Sequence, residues 1–305
     1  MTTPADRLEE IRDKGLLRRM RTVESAQGAR IRIDGEDVLL LCGNDYLGLT
    51  THPAVTAAAI DAVERWGTGS GASRLVSGNM RPHERLEGRL AAFHGTETAL
   101  LFGSGYLANT GIVAALAQRG QVVFSDELNH ASIIDGCRLS GARVHRYRHC
   151  DLDHLEASLV AARRDGARRI LVVTDAVFSM DGDVAPLPEL LTLAERFDAW
   201  LVVDDAHGFG VLGPQGRGTA AHFGLRPNGR LLLMGTLGKA AGVAGAFVAA
   251  HPAVVETIVQ TARPYIYTTA APPMLAQTLL ASLERIRTAG EARAHLQALI
   301  RRFRA

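Results

Sequence analysis

Lys239 lies in the stretch GTLGKAAG (235–242), among glycines, alanines and one threonine, with no carboxylate within ten positions on either side. A free lysine amine, with a pKa near ~10.4, needs on the order of 4–5 kcal/mol to become neutral at pH 7. Carboxylate neighbours would raise that cost. Small, uncharged neighbours lower it and leave room for a ligand, so this amine is suited to joining a carbonyl compound as a Schiff base. The plainer reading is a surface lysine in a loop. Two other features also follow apolar runs that read as strands. In VVDDAHG (202–208), Asp204 and Asp205 stand at a strand end with His207 close behind. A carboxylate leaving an apolar strand needs a partner, and the plainer alternative is a helix N-cap followed by a solvated second acid. GSGYLAN (103–109) is a glycine turn opening a helix, where free backbone N–H groups would attract a phosphate. Taken alone, it is an ordinary turn. Together, an isolated lysine, a buried acid and a phosphate cradle are what pyridoxal 5'-phosphate (PLP) requires. The amine takes the aldehyde, and the acid keeps the ring nitrogen protonated so that the ring can accept a carbanion's electrons. An ion pair at ~4 Å is worth roughly 4 kcal/mol at an effective dielectric of ~20, enough to hold that proton.

Other chemistries lack their residues. There is no G-x-S-x-G nucleophile elbow, no H-E-x-x-H and no G-x-x-x-x-G-K-[ST] phosphate loop. His145 and His149 are spaced like two ligands on a helix, but they fall in a strand-like stretch that would separate them, so no metal site is expected. The 305 residues are 47% hydrophobic and 22% charged with a net charge of +2, values of an ordinary soluble globular protein. The length suggests about two domains. The charges are interspersed, without the basic stripe that nucleic acid would need. Cys42, Cys137 and Cys150 have no paired spacing and read as the reduced thiols of a cytoplasmic protein. No apolar run approaches the ~18 residues of a membrane span. The mixed-charge N-terminus lacks the apolar core of a signal peptide.

The elements that must position these residues follow from periodicity. Residues 5–22 read as an amphipathic helix, followed by a hairpin turning at Asp34-Gly35. Helices are expected at 53–65 and 82–94, on either side of the glycine-rich loop 67–78. Strand candidates at 98–102, 121–125, 142–147, 168–174, 199–204 and 230–234 then alternate with helices near 105–118, 130–140, 152–163 and 187–197. Short apolar strands alternating with helices indicate βαβ units and an α/β fold, with a mostly parallel sheet and helices on both faces. Residues 242–250 form one more strand candidate whose place in the sheet the sequence does not give. Open parallel sheets place ligands at the C-terminal ends of their strands, where Lys239, Asp204 and GSGYLAN all fall. Residues 283–305 keep apolar residues at helical spacing to the last position, which suggests that more chain normally follows.

The chain resembles the α-oxoamine synthases, PLP enzymes of the aspartate-aminotransferase fold type (fold type I). The likeness is carried by NDYLGL (44–49), GTGSGASRLVSG (67–78), HERLEGRLAAFHG (83–95), FGSGYLAN (102–109), SDELNHASIIDG (125–136), DAVFSMDGDVAPL (175–187), VDDAHGFGVLGPQGRG (203–218), MGTLGKAAGVAGAF (234–247) and RPYIYTTAAPP (263–273). The resemblance implies that Lys239 is the Schiff-base lysine and, once released, the base for the substrate's Cα proton. It implies that Asp204 pairs with the ring nitrogen, that His207 and Ser179 reach the ring hydroxyl, and that His130 stacks on the ring and helps with the acyl-adduct carboxylate. Gly105 and Tyr106 would present backbone to the phosphate, with Thr236 beside them. Thr268 and the 67–78 loop would reach the phosphate of a partner subunit, making the protein a homodimer. Asn44 would lie near the substrate, and Arg18, or else Arg19, would meet the acyl group.

The implied reaction is a decarboxylative condensation of L-alanine with a pimeloyl thioester, carried by coenzyme A or an acyl-carrier protein, as in biotin biosynthesis. DDAHG and KAAGVAGAF favour that branch over the members that condense glycine with acetyl-CoA, the 2-amino-3-ketobutyrate CoA ligases. A non-catalytic PLP-binding protein is the alternative of another class, and a nicotinamide dehydrogenase is disfavoured because GSGYLAN is a poor dinucleotide fingerprint. The expected organisation is an N-terminal helix and hairpin (1–50), a large PLP-binding domain (51–270) and the start of a small domain (271–305). On this expectation the missing remainder would supply an arginine for the amino-acid carboxylate, leaving catalysis in doubt and the lower end of the large domain exposed.

Overall fold

A computed structural model describes residues 3–305, and the chain falls into two compact units, one ending at Gly43 and one spanning Asn44–Ala305. In the first, helix α1 (Pro4–Asp13) is capped by Thr3, whose hydroxyl accepts from the Asp6 amide while Asp6 accepts from the Thr3 amide. The expected helix over 5–22 is therefore too long. Gly15 turns the backbone to φ +66°, and Leu16, Leu17 and Met20, the apolar residues that suggested continuation, are all exposed. Strands β1 (Arg30–Ile33) and β2 (Glu36–Leu39) form the expected hairpin. Its turn places Asp34 and Gly35 at φ +50° and +83°, the two positive angles that a type I′ hairpin needs.

The second unit opens with helices α2 (Pro53–Trp66) and α3 (Arg81–His94). The alternating part then runs β3 (Thr98–Phe102), α4 (Gly105–Leu116), β4 (Val122–Asp126), α5 (Ala131–Ser140), β5 (Arg143–Tyr147), α6 (Leu152–Arg164), β6 (Ile170–Asp175), α7 (Leu187–Arg196), β7 (Trp200–Asp204), the short α8 (Thr219–His222) and β8 (Leu231–Thr236). Strand β9 (Ala246–Ala250) and helices α9 (Pro252–Thr261), α10 (Arg263–Ile266), α11 (Pro273–Thr288) and α12 (Gly290–Arg304) complete it.

Among the described residues these strands form one seven-stranded sheet in the order β3-β9-β8-β7-β6-β4-β5. Strands β8, β7, β6, β4 and β5 are mutually parallel, and β9 runs antiparallel to both β8 and β3. This settles the place of the 242–250 segment, which slots between the first strand and the last parallel one. The interior strands are buried along nearly their whole length, as strands covered on both faces must be. One apolar layer packs α4 and α9 against the sheet through Ile112, Val113, Val254 and Ile258, and the opposite layer packs α6 and α7 through Leu155, Leu159, Leu190 and Ala194. A third cluster joins α3 and α11 through Leu86, Leu90, Leu279 and Leu283. Burying a side chain of this kind is worth ~1.5–3 kcal/mol, so these layers hold the strand ends in place.

Candidate active site

The C-terminal ends of β6, β7 and β8 converge. Asp175 ends β6 and is the register partner of Asp204, which ends β7. Asp204 is 4% exposed. Its Oδ2 accepts from Asn109 Nδ2 at 2.6 Å and its Oδ1 from the Ala206 amide at 3.0 Å. Asn109 is itself held by Ser132 Oγ at 2.9 Å, and its Oδ1 is buried without a partner. Desolvation dominates at Asp204 and pushes its carboxyl above the usual range, while the field of Lys239 and His130 works the other way. Asp175 is raised for the same reason, reinforced by the charge of Asp204. Two adjacent buried carboxylates with no cation in hydrogen-bonding contact are a costly arrangement unless a positive group arrives between them.

Lys239 supplies the amine. The strand β8 ends at Thr236, and the next turn is fixed by Leu237 N donating to Gly245 O and Gly242 N to Lys239 O, both at 2.8 Å. Gly242 has φ +66°, and a Cβ there would lie 2.6 Å from the Thr50 amide, so the tight approach requires glycine. Lys239 Nζ lies 2.8 Å from His207 Nε2, and His207 Nδ1 lies 2.6 Å from the Tyr46 hydroxyl, which also reaches Asn44 Oδ1 at 3.0 Å. Burial lowers the Lys239 pKa, opposed by the charges of Asp204 and Asp175. His207 is lowered to about 4, by burial first and then by the Lys239 charge, so its ring is neutral.

Beside this chain lies the start of α4. Ser104 caps it by accepting from Leu107 N at 3.2 Å, and the amides of Gly105 and Tyr106 point out of the helix end without a protein acceptor among the described residues. A Cβ on Gly105 would meet Met234 Cε at 3.5 Å and Thr236 Cβ at 3.9 Å, ordinary contacts, so packing alone does not demand glycine there. The Tyr106 side chain turns away to the Asp135 carboxylate.

His130 caps α5. Its amide donates to Asp175 Oδ2 at 2.7 Å and its Nδ1 meets Ser132 Oγ at 2.8 Å, leaving the ring exposed above the carboxylates. The structure thus brings together Lys239, His207, Asn44, Asp204, His130, Gly105 and Thr236. Ser179 sits exposed on the turn after β6 and makes no hydrogen bond to this cluster. Thr268 belongs to a segment stitched to the glycine-rich loop: Ala270 N donates to Ala72 O, Ser70 Oγ to Ala271 O, and Ser73 bridges Thr269. Arg18 and Arg19 are exposed in the first unit and form no ion pair among the described residues.

Sequence reasoning missed Tyr46, Asp175 and Asn109. Each lay inside a stretch already noticed (NDYLGL, DAVFSM, GSGYLAN), and Asp175 shared the signal that singled out Asp204, an acid ending an apolar strand. The second acid of the pair, Asp205, departs from the solvated alternative: it is 4% exposed and accepts from Thr219 N at 2.7 Å and Thr219 Oγ1 at 2.5 Å.

A buried carboxylate lacking a cation, a half-buried amine and unclaimed helix-end amides fit the pyridinium nitrogen, aldehyde and phosphate of PLP. Known proteins point the same way. The profile of the family described as aminotransferase class I and II matches residues 36–305. An 8-amino-7-oxononanoate synthase from Aromatoleum aromaticum is 57% identical over 293 residues, covering 96% of this chain and 75% of that one. The enzyme of the same name from Herminiimonas arsenicoxydans is 56% identical over 300 residues, covering 97% and 76%. Among solved structures, a serine palmitoyltransferase variant from S. paucimobilis with bound PLP and myriocin superposes with a TM-score of 0.88 at 35% identity, over 96% of this chain and 74% of that one. An 8-amino-7-oxononanoate synthase from Francisella tularensis does so with a TM-score of 0.73 at 34% identity, over 84% and 71%. The chain belongs to the aminotransferase class I and II family.

Proposed function

We propose that the chain is a PLP-dependent acyltransferase of biotin biosynthesis, condensing L-alanine with a pimeloyl thioester to give 8-amino-7-oxononanoate, carbon dioxide and the free thiol carrier. The observation that carries this reading is the Lys239–His207–Tyr46 chain set against Asp204 and Asp175, in a protein 53–57% identical to eight enzymes named for that product. When bound, PLP supplies an aldehyde for an amine and a cationic ring that can take up a carbanion's electron pair.

The rest is the work of this chain's residues. Lys239 presents an amine whose pKa burial lowers, which favours the neutral form that attacks a carbonyl, and once free again it would take the proton from the alanine Cα. His207 and Tyr46 govern that proton. With Tyr46 donating to Asn44, His207 keeps its proton on Nδ1 toward Tyr46 and offers the Nε2 lone pair to Lys239. Asp204 is the counter-charge of the ring nitrogen, and Asn109 and the Ala206 amide fix its two oxygens. Asp175 accepts from the amide of His130 and so fixes the turn whose imidazole would stack on the cofactor ring and help with the acyl carboxylate. Gly105 and Tyr106 amides with Thr236 hold the phosphate. Ser179 joins His207 at the ring hydroxyl.

A homodimer completes the site, with Thr268 and the 67–78 loop reaching the partner's phosphate, and Arg18 meets the acyl chain. The three free cysteines suit a reducing cytoplasm, and no helix among the described residues is long and apolar enough to cross a membrane. The test is direct. The PLP-loaded protein with L-alanine and pimeloyl-CoA should release free thiol and the amino ketone, and L-alanine alone should change its visible spectrum. Turnover only with glycine and acetyl-CoA would overturn the substrate assignment. No spectral change with either amino acid would overturn the enzyme reading.

A further inference from the structure

A second polar cluster lies on the far side of β6, and the reaction outlined above makes no use of it. His149 follows β5, and its ring is gripped from both ends: Nδ1 lies 3.0 Å from Asp126 Oδ1 and Nε2 lies 2.6 Å from Asp183 Oδ2. Asp126 ends β4 and is 1% exposed. Besides His149 it accepts from the amides of Leu128 and Cys150, both at 2.9 Å, so it anchors the turn 126–130 that ends in His130. The His149 amide donates to Glu127 Oε1 at 3.0 Å.

Asp183 belongs to a different turn. Val177 bridges Val184, Phe178 N donates to Asp183 O at 3.0 Å, and Gly182 N donates to Phe178 O at 2.8 Å, closing a small loop with Ser179 next to its base. The edge of the His149 ring also meets Phe178, with centroids 4.4 Å apart and planes at 89°. One imidazole therefore joins the turn bearing His130 to the turn bearing Ser179. The arrangement needs both ring nitrogens to donate, which only the imidazolium does. Desolvation is the largest effect on His149 and lowers its pKa, but the hydrogen bonds to Asp126 and Asp183 together with their charges outweigh it and leave the pKa raised. The ionisable groups that meet its ring are Asp126, Asp183 and Cys150, its amide meets Glu127, and the Arg304 guanidinium reaches the Asp183 turn at Asp181 O, 3.4 Å away.

We infer that His149 is a positioning residue: as a clamp between Asp126 and Asp183 it holds the turn that bears Ser179 against the turn that bears His130. The inference rests on the assignment of Ser179 to the ring hydroxyl. The Ser179 side chain makes no hydrogen bond among the described residues, so its place follows that of its turn, which is closed by its own backbone bonds, touched by Arg304 at Asp181 O (3.4 Å) and tied to the His130 turn through His149. A hydroxyl that must meet a ring oxygen within a few tenths of an ångström needs its support from the residues beneath it.

Two variants test this. His149→Phe keeps the ring against Phe178 and removes both donors, and Asp183→Asn, at a partly exposed position, removes one charge. In the protein without PLP, amide hydrogen exchange at Phe178 and Gly182 should quicken about 10-fold in both variants, with the β6 and β7 amides unchanged within about twofold. Unchanged exchange at Phe178 and Gly182 overturns the clamp. In the PLP-loaded protein, the pH midpoint of the visible band should move by about half a unit, roughly threefold in proton affinity, in the same direction as in Ser179→Ala. Combining His149→Phe with Ser179→Ala should move it no further. A shift in Ser179→Ala without one in His149→Phe overturns the positioning role. No shift in Ser179→Ala overturns the assignment of Ser179 itself, and the positioning role falls with it.

Discussion

Asp204 and Asp205 are consecutive, equally buried at 4% exposure, and chemically opposite. Asp205 is closed in by its own chain. Thr219 offers it an amide and a hydroxyl, and the walls are glycines: a Cβ at Gly208 would fall 2.1 Å from Asp205 Oδ1, and one at Gly218, where φ is +94°, would fall 1.9 Å from Oδ2. Asp204 has two donors, with a second carboxylate as its strand neighbour. One acid is satisfied by the fold and pins the loop that carries His207. Its neighbour is left short of a positive partner, which is what a site awaiting a cationic ring looks like.

The comparison can be broken most severely at the amine. Lys239→Ala should lower kcat by ~10⁴-fold or more and leave the melting temperature within a few degrees, because the amine's one side-chain hydrogen bond among the described residues is to His207. A variant retaining more than about a tenth of the activity would remove Lys239 from the chemistry.

The two acids should then separate cleanly. Asp204→Asn should cost about 10²–10³ in kcat, on the order of the ~4 kcal/mol ion pair it removes, with stability unchanged or improved because a strained buried charge is gone. Asp205→Asn should do the reverse, destabilising by ~1–3 kcal/mol while folded protein keeps most of its turnover. If both variants lose activity and stability in parallel, the division between them is wrong.

The pH dependence sharpens the same contrast. Burial raises Asp205 to about 7 from the ordinary aspartate value of 3.8, with the Thr219 bonds opposing. The folded state therefore binds more protons than the unfolded chain between those values, so this group's contribution is full below ~3.8 and fades as pH rises toward 7. The destabilisation caused by Asp205→Asn should accordingly be greatest near pH 4 and shrink toward pH 7, read from denaturation midpoints of both proteins across that range. A gap that widens with pH would show that Asp205 is folded as the anion. The smallest effect is expected at Tyr46→Phe, where loss of the bond to His207 Nδ1 should cost ~10-fold in kcat and leave KM for alanine within about twofold.

Most of the framework was legible because it is written locally. Runs such as ILVVTD and WLVVD announce buried parallel strands by composition, and Asp34-Gly35 announces its turn by the angles those residues tolerate. The first helix was overread because Leu16, Leu17 and Met20 keep helical spacing without burying anything, and spacing alone cannot say that Gly15 has already ended the helix. The antiparallel β9 could not be placed, since its orientation depends on the short return from Lys239 to Gly245 and not on its own residues. In the site, Lys239 and Asp204 stood out as polar residues against apolar or small surroundings. Tyr46 and Asn109 did not, because their meaning lies in partners 161 and 95 positions away.

The account depends above all on which amine meets the cofactor. Reduction of the PLP-loaded protein with borohydride, followed by proteolysis and mass measurement, should find the pyridoxyl group on the peptide containing Lys239 and nowhere else at comparable yield. A label on Lys14, the only other lysine in the sequence, at comparable yield, or none on the Lys239 peptide in folded protein, would contradict it.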